Sequence, residues 1–244
     1  MNIVALAGGT GAAKLVRGLA RLIDPRALTV IVNTGDDALV WGLHVSPDLD
    51  TICYALSGAL DTARGWGLRD ESFHALAHMA RFGEPTWFNL GDRDLATHLH
   101  RSRLIREGRT LTEATASVAA GLGAGATVLP MSDQPVRTRI LGADGWLDFQ
   151  EYFVRDKAQA EVREVRYAGA DTARPASGVL EAIGAADAVI VCPSNPITSI
   201  GPILAVPGIA EGLGVRPIFA PIIMTSGESE VALARRVLAE IPES

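Results

Sequence analysis

Short apolar runs recur along this chain, and each is followed by a polar or glycine-rich loop. The run Leu28–Val32 consists mainly of β-branched residues, which is typical of a strand buried on both faces of a parallel sheet. Parallel strands separated by helices all end at one edge of their sheet, so the loops after them gather where α/β proteins bind ligands. The four predicted strands of this kind end near Ala7, Val32, Leu129 and Cys192.

Segments with apolar residues at helical spacing separate these strands. Leu15, Leu19 and Leu22 predict a helix over residues 12–22, and Pro25 lies just beyond its end. This alternation predicts an α/β protein whose mostly parallel sheet is flanked by helices. Further helical segments are predicted at residues 70–82, from 96 onward, 111–122 and 228–240.

One segment has the pattern of an antiparallel hairpin. Residues 136–141 alternate between apolar and polar side chains, a turn follows at 142–145, and residues 146–153 resume the strand. We therefore predict that the 244-residue chain is a single domain with a hairpin insertion at about 136–153, at the sheet edge or in a small lobe. The neighbouring residues 155–175 are polar and carry no clear pattern.

The first predicted strand runs directly into a glycine-rich turn. Gly8, Gly9 and Gly11 let the backbone approach a ligand closely at the start of a helix that carries Lys14, an arrangement suited to a phosphate. The turn is not a Walker A loop, because Leu15 stands where Ser or Thr belongs. It is not the dinucleotide fingerprint either, because Lys14 holds the third glycine position. A tight strand-to-helix turn without a ligand stays open as well.

Four carboxylates fall in the two loops after the second predicted strand. Asp36 and Asp37 follow Asn33, whereas Asp48 and Asp50 precede an apolar segment. The second pair also fits a helix N-terminus, where the helix dipole favours acids. Four acids nevertheless exceed what capping needs. Clustered carboxylates suit Mg²⁺, which binds through one or two of them together with substrate phosphates.

Two later loops carry further candidate groups. Asp92 and Asp94 flank Arg93 in a segment that presents charge, begins a helix, or does both. The last apolar strand, residues 186–192, runs into Ser194-Asn195 between two prolines, which again suits a phosphate or a ribose.

Composition and charge exclude several classes of protein. The net charge of −6 and pI of about 5.4 argue against a general nucleic-acid binder, although a local basic pocket for an anionic small molecule is compatible with them. No apolar run reaches membrane-spanning length, and the N-terminus lacks the order of a signal peptide. Cys53 and Cys192 lie in apolar runs without CxxC spacing, which predicts buried reduced thiols in a cytoplasmic protein.

The chain resembles the 2-phospho-L-lactate transferases of coenzyme F420 biosynthesis from its first residue to about residue 217. The resemblance rests on six motifs in order: LAGGTGAAKL, NTGDD, SPDLDT, GDRDLATH, LPMSD and PSNPITSIGPILAVPG. It implies a Rossmann-like fold, usually a homodimer, and an Mg²⁺-dependent reaction. That reaction joins guanylyl-activated phospho-lactate, or in some bacteria phosphoenolpyruvate, to the deazaflavin Fo (7,8-didemethyl-8-hydroxy-5-deazariboflavin) and releases GMP.

The resemblance also implies roles for individual residues. Asp37 and Asp50 would bind Mg²⁺ or steer the Fo hydroxyl. Asp50 and Arg93 would contact Fo, and Arg93 would also offset phosphate charge. These three are the implied catalytic residues. The Gly8–Gly11 turn and the Ser194-Asn195 pair would hold the guanosine diphosphate portion. The implied substrate-binding residues are Gly8, Gly9, Thr10, Gly11, Lys14, Asn33, Asp48, Asp94, His98, Ser132, Ser194 and Asn195.

An alternative and one departure stay open. Regulatory proteins of the gluconeogenesis-factor-like group share the GGTG start and an SNP-like loop, and they would bind nucleotide sugars without transfer. SPDLDT and GDRDLATH match the transferases better. Because transferase family members usually run longer, the resemblance predicts a shortened region near residues 217–222. The guanosine side of the pocket is the part that such a shortening would affect.

Overall fold

A four-stranded parallel sheet forms the centre of the protein. The computed structural model describes residues 1–213 and 226–239. Its strands are β1 Ile3–Ala7, β2 Leu28–Val32, β3 Ala38–Val40, β4 Leu43–Val45, β5 Thr127–Pro130, β6 Arg137–Gly142, β7 Gly145–Asp148, β8 Glu164–Ala168 and β9 Ala188–Val191. The central sheet has the order β5-β2-β1-β9, and all its strands end at one edge. The four predicted strands and the Rossmann-like α/β class are confirmed.

Helices cover both faces of this sheet. They are α1 Thr10–Ala20, α2 Pro47–Leu56, α3 His74–Arg81, α4 Asp92–Arg106, α5 Leu111–Leu122, α6 Val179–Gly184, α7 Gly201–Leu204, α8 Ile209–Gly212 and α9 Gly227–Ala239. In β1, Ile3 and Ala5 point into a core shared with α1, α2, α5 and α9. Val4 and Leu6 point into a second core shared with α6, α7 and α8. The strand is therefore buried on both faces, as its unbroken apolar sequence indicates.

Two small antiparallel sheets stand apart from the central sheet. The short β3-β4 hairpin was not predicted. The predicted hairpin is found as β6 and β7, and β8 pairs with the other side of β6 to complete a three-stranded lobe. The prediction that residues 146–153 continue the strand is wrong beyond Asp148, because residues 151–155 form one π-helical turn. β8 lies within residues 155–175, for which the sequence pattern predicts no element. The strand is defined by its pairing with β6, and this pairing leaves no strong local pattern in the sequence.

Helix α3 begins later than the sequence predicts, and helix α4 begins earlier. α3 starts at His74 rather than residue 70, and α4 starts at Asp92 rather than residue 96. The Asp92 carboxylate accepts hydrogen bonds from the backbone of His74 and Ala75. Glu71 accepts hydrogen bonds from the first turn of α4. Asp92, at the start of α4, thus caps α3, and Glu71, which precedes α3, caps α4. Sequence pattern cannot reveal such contacts between distant segments.

Both cysteines are buried and unpaired, as predicted. Burial raises the pKa of the Cys53 and Cys192 thiols to about 12. Within residues 1–213 and 226–239, no helix is both long and apolar enough to cross a membrane. The predicted shortening near residues 217–222 lies outside the described residues.

Candidate functional site

The glycine turn after β1 packs tightly against two other loops at the carboxyl edge of the sheet. A Cβ atom on Gly8 would come within 3.0 Å of Ser199, and one on Gly9 would come equally close to the Asp48 carboxylate. The Gly8 N–H donates to Ser194 Oγ at 3.2 Å. The glycines are therefore required by close packing, whether or not a ligand is bound. The first turn of α1 itself contains no acidic residue, and its N–H groups suit an anion when the Asp48 carboxyl that packs against Gly9 is neutral.

Beside this turn lies a cavity of about 300 Å³. We call the carboxyl groups of its lining (Asp36, Asp48, Asp50 and Asp94) the acidic floor, and its aromatic rings (Tyr54, Trp66, Phe88, Phe149 and Phe153) the aromatic wall. The Phe149 and Phe153 rings stack with centroids 5.3 Å apart and an interplanar angle of 12°. The cavity lining includes Gly9, Thr10, Asp36, Asp48, Asp50, Tyr54, Trp66, Phe88, Asp94, His98, Phe149 and Phe153.

Asn33 joins the loops behind the cavity. Its buried side chain donates to Asp48 Oδ2 at 2.9 Å and to the Thr198 carbonyl at 3.3 Å. Its own carbonyl oxygen accepts the Gly35 N–H at 2.8 Å. One amide thus fixes the position of Asp48, the turn after β2 and the loop after β9.

Two of the buried acids resist ionisation. Burial and the neighbouring Asp48 and Asp37 charges raise the pKa of Asp36 well above its ordinary value, although a hydrogen bond from Asn33 works against this. Burial, with a contribution from Asp37, raises the pKa of Asp48 from 3.8 to about 7. A nearby cation would relieve this repulsion.

Asp37 lies just behind the cavity and is held by two groups. His44 Nε2 lies 2.8 Å from Asp37 Oδ2, and Ser46 Oγ donates to the same oxygen at 2.8 Å. The other oxygen, Oδ1, is buried with no hydrogen-bond partner, as is Asp36 Oδ1. Buried polar atoms are nearly always satisfied, so each of these oxygens has room for one further partner, a cation or a water.

A second polar network links α2 to α4 at the cavity floor. The Arg101 guanidinium donates two hydrogen bonds to the Asp50 carboxylate. His98 lies between two acids, with Nδ1 3.6 Å from Asp50 and Nε2 3.3 Å from Asp94. The Tyr54 hydroxyl donates to Asp94 at 2.5 Å.

The net pKa shifts of Tyr54 and Asp94 have opposite directions. Burial raises the pKa of Tyr54 well above 10.0, helped by the Asp50 and Asp94 charges. Burial also acts to raise the pKa of Asp94, but contacts with His98, Tyr54 and Arg101 outweigh it and the net value is lowered. Asp94 is therefore an anion at neutral pH, and Tyr54 is a neutral hydrogen-bond donor.

The residues that the structure describes contain no group of three or more His, Cys, Asp or Glu side chains arranged to hold a metal ion. Mg²⁺ needs fewer protein ligands, since it usually keeps waters and substrate phosphates. The unpartnered oxygens of Asp36 and Asp37 and the raised pKa of Asp48 fit such a site.

The structure brings together only some of the predicted site residues. Gly9, Thr10, Asp48, Asp50, Asp94 and His98 line the cavity, and Gly8, Asn33, Asp37 and Ser194 pack directly behind it or beside the glycine turn. The remaining predicted residues lie elsewhere. Lys14 lines a different cavity beside α9. Arg93 is exposed, and its guanidinium donates to the Arg69 carbonyl. Ser132 accepts a turn hydrogen bond from Gln134.

Two further predicted positions have local structural roles. The Asn195 side chain accepts hydrogen bonds from the backbone N–H groups of Ile197 and Thr198, so it caps the turn after β9. A Cβ on Gly11 would overlap the Pro193 carbonyl, so this glycine allows α1 to pack against the same loop. The functional roles proposed for all these positions stay predictions.

Sequence reasoning missed Arg101 and the aromatic wall. Arg101 follows Asp94 and His98 at positions i+7 and i+3 on one face of α4, a spacing visible in GDRDLATHLHR. That helical spacing was the available signal. Phe149 and Phe153, also spaced by four, lie in residues 146–153, which the sequence pattern predicts as a strand.

Comparison with known proteins extends these observations. The family model described as 2-phospho-L-lactate transferase CofD matches residues 3–243. The phosphoenolpyruvate transferase of Kitasatospora aureofaciens is 46% identical, and the match covers 99% of this chain and 78% of that protein. That of Streptomyces griseus is 44% identical with the same coverage. That of Mycolicibacterium smegmatis is 42% identical over 91% of this chain and 72% of that protein.

A solved structure supports the fold alone. A UPF0052 family member from Bacillus halodurans superimposes with a TM-score of 0.60 at 23% identity, covering 86% of this chain. The match spans 64% of that solved chain. Taken with the matched family model and the relatives above 40% identity, the chain belongs to the 2-phospho-L-lactate transferase CofD family.

Proposed function

We propose that this protein transfers a phospho-acyl group from a guanylyl-activated donor to the deazaflavin Fo, which releases GMP and forms the core of coenzyme F420. Membership of the 2-phospho-L-lactate transferase family supports the transfer. The relatives named above are phosphoenolpyruvate transferases, which favours an enolpyruvyl group over a lactyl group on the donor.

The observation that carries the proposal is the cavity with an aromatic wall and an acidic floor. A flat ring system would pack against aromatic lining side chains such as Trp66, Phe88 and the stacked Phe149–Phe153 pair. A polyol chain has hydroxyl groups that donate to carboxylates such as Asp50 and Asp94 at the floor. Fo combines a flat tricyclic ring with a ribityl chain. The ring matches the aromatic wall of the cavity, and the ribityl chain matches its acidic floor.

The donor would lie at the neighbouring glycine turn. Gly9 and Thr10 belong both to the N-terminus of α1 and to the cavity lining, so a diphosphate bound there would adjoin the acceptor. Helix N-terminal N–H groups bind phosphate oxygens well. The guanosine end would extend toward the Ser194-Asn195 loop.

Mg²⁺ is part of the proposal. Asp37 and Asp50 would hold it, and Asp36 and Asp48 lie close enough in the fold to add charge. Asp37 has an unpartnered oxygen. Asp50 pairs with Arg101, but each carboxylate oxygen has two lone pairs and can accept a second partner. When bound, the ion would neutralise charge on the donor phosphates.

The proposed chemistry is a direct displacement. The terminal ribityl hydroxyl of Fo attacks the phosphorus that bears the acyl group, a new P–O bond forms, and the P–O bond to GMP breaks. The hydroxyl proton is transferred to one of the surrounding carboxylates or to water. Such a transfer depends mainly on positioning and charge neutralisation. In this scheme Asp50 orients the hydroxyl, and Arg93 is a candidate contact to Fo or to the phosphates. No covalent intermediate is required.

A coupled assay tests the proposal. Purified protein is mixed with Fo, Mg²⁺ and either the enolpyruvyl or the lactyl guanylyl donor, and GMP and the phospho-acyl product are followed by chromatography and mass spectrometry. Product formation supports the transferase. Absence of product together with absence of Fo binding would reject it in favour of a nucleotide-binding regulatory role.

One variant tests the acidic floor. Asp50→Asn is expected to lower turnover by about 100-fold, because the hydroxyl loses its orienting anion. Asp144→Asn, which removes an exposed turn carboxylate, is the matched control. Near-normal turnover of Asp50→Asn would remove Asp50 from the reaction.

A further inference from the structure

Arg101 is a buried cation that does not itself reach the candidate cavity. It lies on α4 with no exposed surface, and it is the only Lys or Arg that is buried among the residues the structure describes. Asp94 and His98, on the same face of α4, line the cavity, whereas Arg101 is absent from the lining. Any influence of Arg101 on a bound substrate must therefore pass through its neighbours.

The main neighbour is Asp50. One guanidinium nitrogen donates to Asp50 Oδ2 at 3.1 Å, and the other donates to Oδ1. The first nitrogen also lies 3.4 Å from His98 Nδ1 and 3.5 Å from the His44 carbonyl. A two-bond fork of this kind fixes the plane of a carboxylate as well as its position.

The surroundings of the pair are strongly acidic. Asp36, Asp37, Asp48 and Asp94 are all buried around the same floor as Asp50. Without Arg101 these five acids, of which Asp36 and Asp48 resist ionisation, would have no buried Lys or Arg beside them among the described residues. An anionic donor would then be repelled from the position it must occupy.

A buried ion pair is a poor device for stability, because apolar side chains of similar volume usually serve as well. What Arg101 supplies here is orientation and charge. Building on the proposed function, we propose that Arg101 is a positioning residue for the transfer. Its guanidinium fixes the Asp50 carboxylate toward the acceptor hydroxyl and offsets the charge of the floor for the donor.

Two substitutions separate orientation from charge. Arg101→Lys keeps the positive charge but cannot form the planar fork. It is expected to lower kcat by about 100-fold with little change in the KM of the donor. Arg101→Met also removes the charge, so the KM of the donor should rise as well. Arg103→Lys, an exposed arginine on the same helix paired with Glu107, is the control and should behave as wild type. Wild-type kcat in a folded Arg101→Lys variant would overturn the proposal.

A double-mutant cycle tests whether Arg101 acts through Asp50. In an Asp50→Asn background, Arg101→Lys should cost little further turnover, because the carboxylate that it positions is already gone. An equal loss of kcat in both backgrounds would show that Arg101 acts independently of Asp50 and would overturn the proposal.

A crystal structure of Arg101→Lys gives a readout that does not depend on turnover. The Asp50 carboxylate is expected to turn from its wild-type orientation while the α4 backbone stays in place. An unchanged carboxylate would overturn the positioning role even if the wild-type protein proved inactive with Fo. A turned carboxylate with an inactive wild type would instead reject the transferase proposal and leave Arg101 as the residue that orients Asp50.

Discussion

Replacing Asp48 by Asn (D48N) is expected to stabilise the protein above neutral pH. Asp48 is buried beneath Gly9 and accepts a hydrogen bond from Asn33 at 2.9 Å. Burial, together with the Asp37 charge, raises its pKa from 3.8 to about 7. At 1.36 kcal/mol for each pH unit, ionising Asp48 in the folded protein costs roughly 4 kcal/mol more than in the unfolded chain.

The sign follows from proton binding. Between pH 4 and pH 7 the folded protein keeps the Asp48 proton, whereas the unfolded chain has released it. Rising pH therefore favours unfolding, and the contribution of Asp48 to stability is complete below about pH 4 and lost by about pH 7. Asn cannot ionise and its oxygen can still accept from Asn33, so D48N avoids this loss.

Chemical denaturation in EDTA, measured from pH 4 to pH 8, checks the prediction. The free energy of unfolding of D48N relative to wild type should rise through this range and reach a gain of about 2–4 kcal/mol at pH 8. D144N removes an exposed carboxylate and controls for the change in net charge. A D48N–wild-type difference that stays constant with pH, or a D48N protein less stable than wild type at pH 8, would refute the reasoning.

Three other predictions concern separate parts of the structure. Gly9→Ala should cost about 1–3 kcal/mol of unfolding free energy, because the added Cβ overlaps the Asp48 carboxylate; a variant as stable as wild type would contradict the packing argument. Thr110→Ala removes a capping box with Glu113 and should cost about 1 kcal/mol, seen as a melting temperature lower by about 2–4 °C; no change would show that α5 does not need this cap. Phe153→Leu should weaken Fo binding several-fold in a fluorescence titration, whereas Phe82→Leu, at an exposed site outside the cavity, should not; equal affinities would remove the aromatic wall from the acceptor site.

Local pattern determined the central sheet and three of the helices that cover one of its faces, α1, α5 and α9. The β-branched run of β2 and the leucine spacing of α1 reflect which faces are buried, and that information lies within a few neighbouring residues. The glycine turn was equally visible, since glycines after a strand indicate close backbone packing. Family motifs then pointed to a transferase.

Tertiary structure decided the chemistry of the site. The sequence shows Arg101 as one arginine among several on a polar helix, and only the folded chain buries it and pairs it with Asp50 of α2. Asn33 and Thr198, 165 residues apart, meet because β2 and β9 both pair in parallel with β1, so the loops after them lie at the same edge of the sheet.

The same limit applies to β8 and to the raised pKa of Asp48. β8 is defined by its register against β6, and the Asp48 pKa is set by burial among other acids. Pattern and propensity act between residues close in sequence. Burial, charge and register depend on which distant segments the fold brings into contact, so only the folded chain determines them.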